Sequence, residues 1–136
     1  MKLNIAGKEI NIEFGYKPTL KERIVSKVVE LSKSTDESGN MDMKKLEDLM
    51  LFLPEMLLVG MQVHHEDYRY NYDTGEGKEE QLEKAFKLVE KHMKSEDADI
   101  MALFGKLQEA LMQDSFLAGL YKKEQKKAET AQMNGV

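Results

Sequence analysis

The chain has no cysteine among its 136 residues, which excludes disulfides, thiolate metal sites, iron–sulfur clusters and cysteine nucleophiles. It has no apolar run near the roughly 20 residues of a membrane-spanning helix, and its opening residues become polar too soon for a signal peptide. It has no excess of basic residues either, because 20 Lys and Arg stand against 25 Asp and Glu, for a net charge of −5. A nucleic-acid binder needs a concentrated basic face. These absences predict a soluble intracellular protein that binds neither nucleic acid nor membrane.

The length and the spread of apolar residues indicate one domain. About 41% of the side chains are apolar, and a chain of this size can bury a substantial core. Large apolar residues become scarce after Lys122. We therefore predict a single domain over residues 1–121 and a mobile or frayed helical tail over residues 122–136.

The first residues alternate between apolar and polar side chains, as half-buried strands do. Gly7-Lys8 separates two such runs, and a glycine in the first turn position suits a type II′ turn. This turn predicts a β-hairpin with the cross-strand pairs Ala6–Glu9, Ile5–Ile10, Asn4–Asn11 and Leu3–Ile12. The apolar side chains then share one face, which must dock on helices or further strands.

A first helix is predicted directly after Pro18. Thr19-Leu20-Lys21-Glu22 has the spacing of a capping box, in which the Thr hydroxyl and the Glu carboxylate satisfy amides at the helix start. The expected apolar stripe comprises Leu20, Ile24, Val25, Val28, Val29 and Leu31. Residues 32–40 have the composition of a loop.

Three further helices are predicted. The second begins near Asp42 and is almost wholly apolar over residues 49–61, where Pro54 predicts a kink or a junction of two short helices. The third begins near Lys78. The fourth is expected to be capped by Ser95, and its apolar stripe comprises Ile100, Leu103, Phe104, Leu107 and Leu111. The sequence thus predicts an α+β fold, predominantly α, with an N-terminal β-hairpin followed by a bundle of about four to five helices.

Residues 64–77 lack helical periodicity, although the alternation of Tyr68, Tyr70 and Tyr72 would also suit a short strand. The adjacent His64 and His65 raise the question of a metal site. Neighbouring residues diverge by about 100° on a helix, so both could face one ion only from a loop. We interpret them as polar residues that close a helix, and we predict no metal ligand, no cofactor and no catalytic residue.

Two other motif matches fail in the same region. An EF-hand that began at Asp67 would need glycine and glutamate where Tyr72 and Lys78 stand. A phosphate-binding loop would need serine or threonine after Lys78, where Glu79 follows.

The end of the last predicted helix carries more apolar residues than one face requires. Met112, Phe116 and Leu120 form a second stripe, which Leu117 and Tyr121 extend. A helix that is apolar on more than one side is wrapped by its own domain or meets a partner. We predict a partner-binding surface at these five residues, with completion of the core as the open alternative.

Several segments of the chain follow one another in a characteristic order. They are the opening residues 2–10, Phe14-Gly15 before a helix, Val59-Gly60-Met61 at the end of the apolar helix, the acidic helix after it, and residues 116–120. Over about residues 1–121 this arrangement resembles the tail assembly chaperones of long-tailed phages and prophages of Gram-positive bacteria. Residues 64–77 depart from the family, which moves more directly into its acidic helix, so no role is assigned to this segment.

The resemblance implies a non-enzymatic protein of the bacterial host cytoplasm that is absent from the mature virion. Its partners would be the apolar helical tape-measure protein, which it coats, and tail-tube subunits, which it helps to recruit. The family also has longer frameshifted forms, and this chain is similar to the short form. Pairing of hairpin edges between copies could add a homo-oligomer.

Two other functions stay open at this point. A small helical regulatory protein that sequesters a transcription factor or another partner protein would have a similar composition. A metal-dependent enzyme would use His64, His65 and Asp67.

Overall fold

A computed structural model describes residues 1–32, 42–95 and 98–119. Its elements are β1 (Lys2–Ile5), β2 (Lys8–Asn11), α1 (Tyr16–Lys21), α2 (Ile24–Leu31), α3 (Met43–Gly60), α4 (Lys78–Met93) and α5 (Ile100–Gln113). The predicted hairpin followed by a predominantly helical chain is confirmed. The predicted tail at residues 122–136 lies outside the described residues, as do Leu120 and Tyr121.

The hairpin forms, but with a different register from the predicted one. The observed pairs are Lys2–Asn11, Leu3–Ile10, Asn4–Glu9 and Ile5–Lys8. The turn therefore lies at Ala6-Gly7, whose φ angles of 55° and 80° are those of a type I′ turn, which matches the twist of hairpin strands. Because the register moved by two residues, each side chain kept its face. Leu3, Ile5, Ile10 and Ile12 are all buried, as expected.

The predicted capping box at Thr19 is wrong. Helix α1 already begins at Tyr16, and Thr19 lies inside it with a buried side chain. The Glu22 carboxylate pairs with Lys78 instead of a helix-start amide. Arg23 then adopts a left-handed conformation with a φ of 55° and separates α1 from α2. As a result, Leu20 leaves the predicted stripe and is 48% exposed, whereas Ile24 and Val28 are buried.

Helix α3 is one continuous helix across Pro54, so a junction of two short helices is wrong. Asp42 caps it, with the carboxylate accepting a hydrogen bond from the Lys44 amide at 2.9 Å. The proline removes one backbone hydrogen bond. It does so within the buried half of the helix, where residues 52–54 and 56–60 are all buried. The packing of these buried residues in the core therefore holds the helix together at this point.

The connection after α3 forms a 3-10 turn at Glu66–Tyr68 rather than the short strand that the tyrosines suggested. Helix α4 begins at Lys78, as predicted. Helix α5 is capped by Asp99 and not by Ser95. The Ser95 hydroxyl donates to the His92 carbonyl at the end of α4, so Ser95 belongs to the preceding helix.

One hydrophobic core joins the hairpin to α2, α3, α4 and α5. Its fully enclosed members include Ile5, Ile12, Leu53, Leu57 and Leu107. The face of the hairpin therefore docks on the helices, with α3 at the centre. No helix in the described ranges is long and apolar enough to cross a membrane.

Candidate partner-binding surface

Of the predicted binding residues, those within the described chain do not lie on one helix, because α5 ends at Gln113, after Met112 and before Phe116 and Leu117. The Ser115 hydroxyl donates to the Leu111 carbonyl and accepts from the Leu117 amide, which turns the chain away from the helix axis. Met112 and Leu117 are partly buried against the core, whereas Phe116 is exposed. Of the predicted residues within the described chain, Phe116 offers the most accessible apolar surface.

Phe116 packs against the start of α1. Its ring meets Tyr16 edge to face, with 5.1 Å between the ring centroids. Leu20 lies four residues after Tyr16 and so shares its face of α1. The exposed fractions of Tyr16, Leu20 and Phe116 are 67%, 48% and 40%. We call these three side chains, two of them aromatic and one aliphatic, the aromatic patch.

A cleft of about 640 Å³ opens beside this patch. Its lining residues are Lys17, Pro18, Gln62, Val63, Arg69, Tyr70, Asn71, Tyr72 and Asp73. Most of them belong to the connection between α3 and α4, which includes the segment without an assigned role. Tyr70 and Tyr72 meet edge to face at 6.2 Å, and Lys17 lies 5.7 Å above the Tyr72 ring. The cleft and the patch are adjacent because Tyr16 directly precedes Lys17 and Pro18.

The rim of the cleft carries clustered charges. Asp73 accepts from Lys17 at 2.9 Å and from Lys21 at 3.3 Å. The hydrogen bond with Lys17 lowers the pKa of the Asp73 carboxyl, and the same bond raises the pKa of the Lys17 ammonium. Arg69 donates to the carbonyls of Gln62 and Val63, so it fixes the segment to the end of α3. These contacts make the rim a preorganised group of charges.

A second charge cluster lies deeper and positions α1. Lys78 pairs with Glu22 and lies 3.8 Å from Glu55, which also accepts from Lys27 at 2.5 Å. The Glu22 side chain is only 11% exposed and that of Lys78 27%. Burial, together with the nearby carboxylates of Glu22 and Glu55, raises the pKa of the Tyr70 phenol. This cluster ties the end of α1 to α2, α3 and α4.

All three histidines contact the hairpin or the residues next to it. The Nε2 atom of His64 lies 3.2 Å from Glu13 Oε1, and His65 Nε2 lies 3.0 Å from the Asn11 carbonyl. His92 Nδ1 accepts from the Ala6 amide at 3.0 Å. Their side chains therefore have structural partners. Within the described residues, no group of three His, Asp or Glu side chains is placed to hold a metal ion.

The sequence pattern does not identify Tyr16 and Leu20 as surface residues. Tyr16 stands in a segment with the composition of a break, and Leu20 fits the predicted core stripe. Their spacing of four residues is visible in the sequence. Helix α1 ends at Lys21, where Glu22 meets the distant Lys78 and Arg23 is left-handed, and the sequence carries no local signal for this end.

No family model, curated protein or solved structure matches this chain.

Proposed function

We propose that this protein is a non-enzymatic phage tail assembly chaperone that binds the apolar helical tape-measure protein and helps to recruit tail-tube subunits. The observation that carries the proposal is the aromatic patch. It presents three large apolar side chains to solvent, at the place where the start of α1 contacts the segment that follows α5. The resemblance to tail assembly chaperones supplies the identity of the partners.

The geometry of the patch suits the capture of a helix. Tyr16 and Leu20 give one turn of apolar surface along α1, and Phe116 extends it sideways. In helix recognition of this kind, apolar side chains anchor the apolar face of the partner helix, and water is excluded from the surface when the helix binds. Aromatic side chains are good anchors because they bury a large area and lose little conformational freedom. Reversible release of the tape measure requires moderate affinity, which a patch of three anchors can supply.

The test is a coexpression pull-down of the full chain with a tape-measure protein. The variants Tyr16→Ser, Leu20→Ser and Phe116→Ser each remove an anchor from the patch. Met43→Ser is the matched control, since Met43 is 73% exposed on α3 and is not part of the patch. Circular dichroism of each variant establishes that the helical content is unchanged.

We expect each patch variant to weaken capture at least about fivefold, since truncating an interface anchor costs more than about 1 kcal/mol. The Met43 variant should bind like the unaltered chain. Equal capture by all four variants would overturn the assignment of the patch. A chain that captures no tape measure at all would overturn the chaperone function.

A further inference from the structure

The aromatic patch has a basic border on one side. Lys17 follows Tyr16 and Lys21 follows Leu20, so the two lysines form a parallel row about 100° around α1. Both are exposed, with 56% and 52% of their side chains accessible. Lys17 lines the cleft and Lys21 contacts Asp73 on its rim, so a helix that lies on the patch would meet both lysines on the same flank.

The border keeps an excess of positive charge after its internal pairing. The two lysines share one carboxylate, that of Asp73. Across the cleft, Arg69 donates from two of its nitrogens to neutral carbonyls. The carboxylate of Glu66 is 3.8 Å from Arg69, and its side chain is 84% exposed. This local excess stands out in a chain whose net charge is −5.

We infer that the partner segment bound on the aromatic patch carries acidic residues on one side of its apolar stripe, facing Lys17, Lys21 and the cleft. This inference rests on the proposed function and adds the charge pattern of the partner. The apolar stripe covers Tyr16, Leu20 and Phe116. The carboxylates of the partner compete with Asp73 for the two lysines and approach Arg69. Opposite charges on the flank set the orientation of the bound helix and speed its association.

The experiment uses two synthetic helices with the same leucine stripe. One carries glutamates along one flank of the stripe, and the other carries lysines at the same positions. Binding of each labelled helix to the full chain is measured by fluorescence anisotropy at low and high salt. We expect the glutamate helix to bind at least about tenfold tighter at low salt. This preference should shrink at 1 M salt, where charges are screened beyond about 3 Å.

Charge-removing variants locate the effect. The double variant Lys17→Gln with Lys21→Gln should abolish most of the preference for the glutamate helix. The control double variant Lys87→Gln with Lys91→Gln removes the same charge from the exposed side of α4 and should leave the preference intact.

The outcomes separate the two proposals. Equal binding of the two helices, or tighter binding of the lysine helix, overturns the charge inference and leaves the apolar patch standing. The charge inference is also overturned if the α4 control loses the preference as fully as the α1 variant does. Failure of both helices to bind overturns the proposed function itself, and the charge inference falls with it.

Discussion

Replacing Thr19 by valine should stabilise this protein. The Thr19 side chain is fully buried within α1. In the described part of the chain its hydroxyl finds no hydrogen-bond partner, while its backbone amide donates to the Gly15 carbonyl. Valine has nearly the same shape and replaces the hydroxyl by a methyl group. The substitution therefore removes an unsatisfied polar group without opening a cavity.

The expected gain follows from the burial of this hydroxyl. An unsatisfied buried hydroxyl costs about 1–3 kcal/mol, and the helix propensities of threonine and valine are similar. Thr19→Val should raise the free energy of unfolding by about 1 kcal/mol, and the midpoint of thermal unfolding by about 4 °C for a chain of this size. The capping-box interpretation predicts that the same substitution lowers the free energy of unfolding, because loss of a threonine cap costs about 1 kcal/mol.

Urea unfolding followed by circular dichroism measures the difference. The slope of the transition should not change, since the substitution does not alter the area exposed on unfolding. Thr19→Ser serves as the control, because it keeps the hydroxyl and loses the buried methyl group, and it should destabilise the protein. A Thr19→Val variant that is less stable than the unaltered chain by about 1 kcal/mol would refute the buried, unpartnered position of this hydroxyl.

Three further predictions test other parts of the structure. Lys78→Met leaves the Glu22 carboxylate buried beside Glu55 without its cation, and should cost about 2–3 kcal/mol in urea unfolding; adding Glu22→Gln should recover part of the loss. Because the pKa of Tyr70 is raised in the folded protein, stability should be intact below the ordinary tyrosine value near 10 and fall as the pH rises above it. Tyr70→Phe should flatten that fall in urea midpoints measured from about pH 8 to 11. Ala6→Gly relieves a left-handed φ of 55°, and should raise the free energy of unfolding by about 0.5–1 kcal/mol in thermal melts; a loss would contradict the type I′ turn.

The parts of the fold that were predictable are those with strong local signals. Asp42 caps α3, which begins at Met43, and Lys78 begins α4, as the change in hydrophobic periodicity indicated. The buried face of the hairpin was also predictable, because alternation assigns each side chain to a face. Its register was not, since registers that differ by two residues bury the same side chains. The turn residues decide between the two registers, and in the observed turn Ala6 has a left-handed conformation, which is uncommon for alanine.

The errors in the helices arise from long-range contacts. Glu22 had the correct spacing for a capping box, but Lys78, which is 56 residues away, pairs with it. That pair lies at the end of α1, directly before the left-handed Arg23 that separates α1 from α2. Likewise, Pro54 is tolerated within α3 because most residues of that half of the helix are buried against distant parts of the chain.

The candidate site was predicted in part. The sequence predicts Phe116 from the apolar surplus at the end of the last helix, but Phe116 packs against Tyr16, which is 100 residues away and meets it only in the folded chain. The contacts of Asp73 with Lys17 and Lys21 likewise join residues that are distant in the sequence. No local pattern can pair such distant residues, so the sequence indicated one component of the surface and not its neighbours.

The central claim is that this protein acts by binding an apolar helix of another chain. Isothermal titration calorimetry of the full chain with a leucine-striped helix tests it most directly. We predict saturable binding with a negative heat-capacity change, as expected when apolar surface is buried, and its loss in the Phe116→Ser variant. No saturation with peptide at about 1 mM, where even an interaction of about 4 kcal/mol is detectable, would contradict the claim.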